Sequence, residues 1–264
     1  MEGPSFLNIE LTSRCNKSCW MCGRRGMEKE RPELAEWGDM DLSMARGIVD
    51  QVPLGTVIQF HNNGEPLLYP DLGLVLFLFK GKIRSFNTNG KLLLERAGEI
   101  VGNLETLTIS VFESDEEGDE QFEIVKKFIE RKGTDKPLLI YRLLGEVDGS
   151  ERWEGLPGLL ARRVLHSPCG SREYRKCPTK PEIGVCLDLL THLAIDRRGN
   201  VSLCVRFDPD GDLRLGNVAD MSLEKCWRSE KRQRYINWHL AAQREMVPGC
   251  NRCEYWGVPR GWKG

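Results

Sequence analysis

Histidine is scarce in this sequence. Four residues, His61, His166, His192 and His239, stand far apart, and this excludes a metal site built mainly on imidazole. No run of about 18 apolar residues exists, so no membrane span is expected. Neither sign of charge prevails, with 38 Lys and Arg against 39 Asp and Glu. That balance gives no electrostatic case for nucleic acid or a membrane surface as a bulk partner. Met1 to Ser5 shows no basic segment leading into an apolar one. No secretory leader is therefore expected, and a cytoplasmic location is. The 264 residues suit one large domain, or one with a small appendage.

Against these scarcities stand ten cysteines. Without a leader, metal ligation in a reducing compartment fits them better than disulfides. Cys15, Cys19 and Cys22 form C-x3-C-x2-C directly after the strand-like run Leu7 to Leu11. Three thiolates on one tight loop can hold three corners of a [4Fe-4S] cube, leaving one iron open to a small molecule. A zinc site is the competing reading, although zinc loops usually pair C-x2-C units with a second Cys or His pair.

From Leu7 to about Leu144, strand-like and helix-like segments alternate. Strands are expected at 7–11, 56–60, 83–86, 104–111 and 137–144. Helices are expected from the Asp41 or Ser43 cap to Val52, and at 72–79, 91–101 and 122–131. Residues 23–39 and 113–120 read as loops, and 162–165 as a last short strand. Repeated strand-then-helix units imply a parallel sheet covered by helices. A barrel, a partial barrel and an open sheet all put ligand sites at the C-terminal ends of the strands. Within the strands, Asn8 and Glu10 share one face, and Arg142 interrupts an apolar segment. A charge there must be paired or solvated. It either lines the lumen or sits on the rim beside a helix carboxylate.

The C-x3-C-x2-C loop after a first strand resembles the signature of the radical S-adenosylmethionine (SAM) superfamily. Met21 stands where that family usually has an aromatic residue packed by the adenine. Asn62-Asn63-Gly64-Glu65-Pro66, after the second strand, resembles the family's Gly-Gly-Glu-Pro segment, with Asn63 at the first Gly. The resemblance implies a shortened parallel β/α TIM-like barrel over residues 1–165. It implies SAM contacts at Met21, Asn63, Gly64, Glu65 and Pro66, then at Thr88 and Asn89, Ser110 and Gly145 near later strand ends. It further implies a cluster held by Cys15, Cys19 and Cys22, and reductive cleavage of SAM to a 5′-deoxyadenosyl radical that takes a substrate hydrogen atom.

Residues 166–264 carry the second cysteine set. Its layout, Cys186, then G-x4-C ending at Cys204, then C-x2-C at Cys250 and Cys253, resembles the C-terminal auxiliary-cluster region called SPASM in its shortened "twitch" form, a small α+β unit. The implied ligands of a second [4Fe-4S] cluster are Cys186, Cys204, Cys250 and Cys253. Cys169 or Cys177 is an alternative to Cys186, and Cys226 reads as core. The pattern is similar to twitch-type dehydrogenases of aminoglycoside biosynthesis. That likeness implies oxidation of a small polar molecule, with Asn8, Glu10 and Arg142 touching substrate and Arg142 as the polar partner of the hydroxyl. It also implies a flavodoxin- or ferredoxin-type electron donor. Peptide or protein side-chain modification and nucleoside or base modification are the rivals within radical chemistry. With six residues before the first strand, no peptide-recognition extension is expected there, and a separate partner could supply that recognition. A zinc-stabilised binding module is the alternative outside it.

Overall fold

The computed structural model describes residues 3–163, 185–204, 208 and 210–253. Cys169 and Cys177 lie outside the described residues, as does the expected boundary at 165/166. The first strand, β1 (Phe6–Ile9), leads into the cysteine loop and helix α1 (Gly23–Glu30). Four units follow: α2 (Leu42–Val49) and β2 (Val57–Gln59), α3 (Leu72–Leu78) and β3 (Ile83–Thr88), α4 (Ala97–Ile100) and β4 (Thr106–Phe112), then α5 (Gly118–Lys132) and β5 (Leu138–Leu144). A short α6 (Glu151–Glu154) precedes β6 (Leu159–Arg163). After the undescribed stretch come α7 (Leu187–Thr191), β7 (His192–Ile195), β8 (Asn200–Ser202) and β9 (Arg214–Asn217). Helices α8 (Leu223–Trp227) and α9 (Glu230–Leu240) follow them.

The strands form one nine-stranded sheet in the order β6-β5-β4-β3-β2-β1-β7-β8-β9. All pairs from β6 to β7 are parallel, while β7 to β9 pair antiparallel. The sheet is therefore mixed, mostly parallel, and not closed into a barrel. Its C-terminal strands extend the N-terminal sheet: Phe6 to Ile9 of β1 pair in register with His192 to Ile195 of β7.

Period-two alternation gives the sheet two unlike faces. One is apolar: Leu7, Ile9, Ile58, Phe60, Phe86, Leu107, Ile109 and Tyr141 are buried, together with Val75 of α3 and Phe128 of α5. Each such side chain contributes roughly 1.5–3 kcal/mol by leaving water. The other face carries Asn8, Gln59, Ser85, Asn87, Thr108, Ser110 and Arg142.

Three elements depart from the sequence reading. Residues 23–30, read as loop, are helical. Arg24 is only 3 % exposed, bridges Glu28 one turn on at 3.2 Å, and stacks over Trp37 at 3.9 Å, so tertiary partners stabilise a polar helix. Residues 91–101, read as one helix, are mostly turn, with only Ala97–Ile100 helical. Helix α5 starts at Gly118, inside the stretch read as an acidic loop. There Asp119 and Glu120 occupy the first turn, where the helix dipole favours negative charge.

Candidate active site

The three cysteines of the first loop lie together. Cys22 caps α1, and its N–H bonds the Cys19 carbonyl at 3.1 Å. Burial pushes the Cys19 thiol up to about 12, with Cys22 and Cys15 adding to it against Lys17. Such thiols ionise when a cation arrives, which is what a cluster supplies. Among the described residues, no three candidate ligands converge as a single ion requires; a cube takes one thiolate per iron, so its ligands stand apart. Lys17, between Cys15 and Cys19, reaches Asp115 at 2.5 Å, and both side chains are less than 10 % exposed. That pair fastens the loop to the segment after β4.

The later strand ends pack on this loop. A Cβ at Gly64 would collide with the Thr12 carbonyl oxygen and lie 2.8 Å from that of Arg14, so only glycine lets the two backbones meet. The Glu65 N–H bonds the Arg14 carbonyl at 2.8 Å. The Glu65 carboxylate turns inward and accepts from the Thr88 hydroxyl at 2.7 Å, the Asn89 N–H at 2.8 Å and the Leu67 N–H at 3.1 Å. Burial outweighs those three bonds and raises its pKa to about 7. Asn89 donates to Asn16 of the loop at 2.8 Å. Pro66 opens a short 3-10 turn, and the Ser110 carbonyl accepts from Gln121. Gly145, at φ +82°, leaves the space that Glu113 fills. Met21 is buried, whereas Trp20 beside it is exposed. A cavity of about 440 Å³ lies between the loop at Lys17, Cys19 and Met21 and the β4 end at Phe112, Glu113 and Asp115.

On the polar face, Asn8 donates to Gln59 at 3.2 Å and Gln59 to Asn87 at 3.0 Å. Asn8 is 2 % exposed, and its Oδ1 has no hydrogen-bond partner. Arg142 projects from this face, since Tyr141 and Leu143 on either side are buried on the other. Burial, then Arg163, lowers the Arg142 pKa to about 10. Glu10 accepts from Asn63 at 3.1 Å. Burial, with Asp196 adding, raises its pKa to about 7.

The second cysteine set gathers from distant segments. Cys186 caps α7, Cys204 follows β8, and Cys250 opens a 3-10 turn that Cys253 caps. Burial first, then Cys204, Cys253 and Cys186, pushes the Cys250 thiol up, so the other three thiols lie near enough to act on Cys250. Arg244 donates to the backbone carbonyls of Cys250 and Cys253. Cys226 is fully buried. A second cavity, of about 260 Å³, is lined by Glu10, Asn63, Asp196, Arg197, Asn200 and Cys204 among others. It joins the end of β1 to the second cysteine set. Arg197 closes that junction by donating to the Ser13 hydroxyl at 3.0 Å and the Glu36 carbonyl at 2.8 Å.

Sequence reasoning missed Lys17, Glu113, Arg197 and the Asn8-Gln59-Asn87 chain. The last was readable in part: Asn8, Gln59, Ser85 and Asn87 each fall on the alternate positions that oppose the apolar residues of their strands. The Arg197 contacts join segments some 160 to 180 positions apart and leave no local pattern.

Comparison with known proteins gives the chemistry. A family model, SPASM, described as an iron-sulfur cluster-binding domain, matches residues 186–254. The chain is 23 % identical over 259 residues to the S-adenosyl-L-methionine-dependent 2-deoxy-scyllo-inosamine dehydrogenase of Niallia circulans, covering 94 % of this chain and 92 % of that protein. These likenesses support a radical SAM enzyme with a SPASM domain at residues 186–254. Its fold is similar to that of BtrN, solved in complex with AdoMet and 2-DOIA, with a TM-score of 0.62 at 17 % identity over 95 % of this chain and 93 % of that one. It is also similar to Streptococcus suis SuiB bound to precursor peptide SuiA, with a TM-score of 0.59 at 15 % identity over 96 % and 72 %. The SPASM match makes the C-terminal cysteine region an iron–sulfur cluster-binding region. No described helix is long and apolar enough to cross a membrane.

Proposed function

We propose that the enzyme oxidises a secondary alcohol of a small polar molecule, with one [4Fe-4S] cluster binding SAM and a second serving as electron acceptor. The observation that carries this reading is the shared cavity, into which Glu10, on the polar face, and Cys204, of the second cysteine set, both open. The relative of similar length is a dehydrogenase of an amino-cyclitol. When bound, the clusters and SAM supply electron transfer and a carbon-centred radical. The residues of this chain supply the rest. Cys15, Cys19 and Cys22 would hold the SAM-binding cluster. Met21, Asn63, Gly64, Pro66, Thr88, Asn89, Ser110 and Gly145 surround SAM, and the buried Glu65 braces that shell through Thr88 and Asn89. Asn8, Glu10 and Arg142 contact substrate. Cys186, Cys204, Cys250 and Cys253 close the second site. Residues 1–165 then act as a partial barrel and 166–264 as the auxiliary-cluster domain, and a flavodoxin- or ferredoxin-type donor provides the reducing electron.

Anaerobic reconstitution tests the cluster assignment. The account expects about eight iron per chain, falling to about four in C250A/C253A. Zinc in place of iron, or four iron in the native chain, overturns it. Peptide modification is the second reading, favoured by the likeness to SuiB with its precursor peptide. It requires hydrogen transfer from a peptide and none from cyclitols.

A further inference from the structure

We propose that His61 receives the proton of the substrate hydroxyl while Arg142 holds its oxygen. The inference rests on the dehydrogenase reading above and adds the base that this reading lacks.

His61 lies two residues beyond β2, at the C-terminal end of the sheet. Its N–H bonds the Gln59 carbonyl at 2.8 Å, and its carbonyl accepts from Asn8 at 3.3 Å. Arg142 projects from the same polar face on β5 and is near enough for its charge to act on the His61 ring. Among the described residues, neither the imidazole nor the guanidinium has a hydrogen-bond or ion-pair partner. The buried Oδ1 of Asn8, whose amide bonds the His61 carbonyl, also has none. The Asn8 Oδ1 is buried without a partner, which costs about 1–3 kcal/mol unless a ligand meets it, and the half-buried His61 and Arg142 side chains open from the same polar face.

The chemistry of the three groups selects a hydroxyl. A guanidinium only donates, and a neutral imidazole offers one acceptor nitrogen. A hydroxyl satisfies both by accepting from Arg142 and donating to His61. Arg142, lowered only to about 10, stays protonated at neutral pH and cannot take the proton. His61 stays neutral there: burial, then the charge of Arg142, lowers its pKa to about 4. The other groups in this region are Gln59 on β2 and Asn87 on β3, both uncharged, and Glu10 on β1, which is bonded to Asn63. Arg163 on β6 stands beyond Arg142.

The step balances as follows. The C–H hydrogen leaves as an atom and becomes the third methyl hydrogen of 5′-deoxyadenosine. The O–H bond breaks heterolytically, its proton going to the His61 nitrogen and its electron pair staying on oxygen. One electron leaves to an iron–sulfur acceptor, and the C=O bond forms. Removal of the hydrogen atom makes the remaining hydroxyl far more acidic, so a weak base suffices, and the Arg142 charge then favours proton release to solvent.

Two measurements test this. In cofactor-free protein, NMR titration of the imidazoles should show His61 neutral down to about pH 5, with its midpoint rising in R142M. In the reconstituted enzyme, 2-deoxy-scyllo-inosamine and related cyclitols deuterated at the carbinol carbons serve as probes. H61Q and H61N should retain deuterium transfer into 5′-deoxyadenosine, while ketone formed per 5′-deoxyadenosine falls at least about tenfold. Unchanged ketone yield in both variants, or a His61 midpoint indifferent to R142M, overturns the role of His61 and leaves the dehydrogenase intact. A wild-type enzyme that takes no deuterium from any cyclitol overturns the dehydrogenase reading and the base with it.

Discussion

Glu10 is a carboxylic acid held where charge is disfavoured. It is 4 % exposed, and burial with Asp196 nearby raises its pKa from 4.5 to about 7. A carboxyl raised in the folded state binds its proton more tightly there than in the unfolded chain. Its contribution to stability is therefore fully present below about pH 4.5 and is lost as pH rises through about 7. In cofactor-free protein, Glu10→Gln should remove that loss. The variant should gain on the order of 2–3 kcal/mol over the native chain between pH 5 and 8, read by urea denaturation at each pH. A constant difference across that range would show that Glu10 is ionised in the fold. Gly64 illustrates the opposite kind of constraint. Its sequence signal, an Asn-Gly pair, is shared with ordinary turns; what the structure adds is the Thr12 carbonyl against its α-carbon.

At the scale of elements, the strands were legible in the sequence because Thr106–Phe112 alternates with a two-residue period and Leu138–Leu144 is a short, largely apolar run. Thr106–Phe112 and Leu138–Leu144 fall within a residue or two of the expected ranges. Helix α1 was not legible, since it is polar and depends on Trp37 and Glu28 for its Arg24. Nor did any local pattern announce that β7 lies beside β1. That pairing follows from Leu193 and Ile195, both fully buried in the common core, with some 180 residues intervening. It carries a consequence for stability. Ile195→Ala should cost about 2–4 kcal/mol, and the regions before and after the undescribed stretch should still unfold in a single transition by circular dichroism and tryptophan fluorescence. Two separated transitions would mean that β7 contributes nothing to the N-terminal sheet.

For the whole molecule, two cysteine sets more than 160 residues apart in sequence are brought to one sheet. The first follows β1 and the second surrounds the β7–β8 hairpin next to it. Their spacing was plain in the sequence. Their relation was not, because it arises from the parallel β1–β7 pair and from Arg197 reaching back to Ser13. The cavity between Glu10 and Cys204 is where the proposed function puts the substrate, between the polar face and the second cysteine set. The most direct test follows the hydrogen atom. Reconstituted enzyme is supplied with SAM, a reductant and cyclitols deuterated at the carbinol carbon, and the products are read by mass spectrometry. The account predicts one deuterium in 5′-deoxyadenosine for each ketone formed. 5′-Deoxyadenosine without deuterium, or with deuterium but with no ketone, would contradict it.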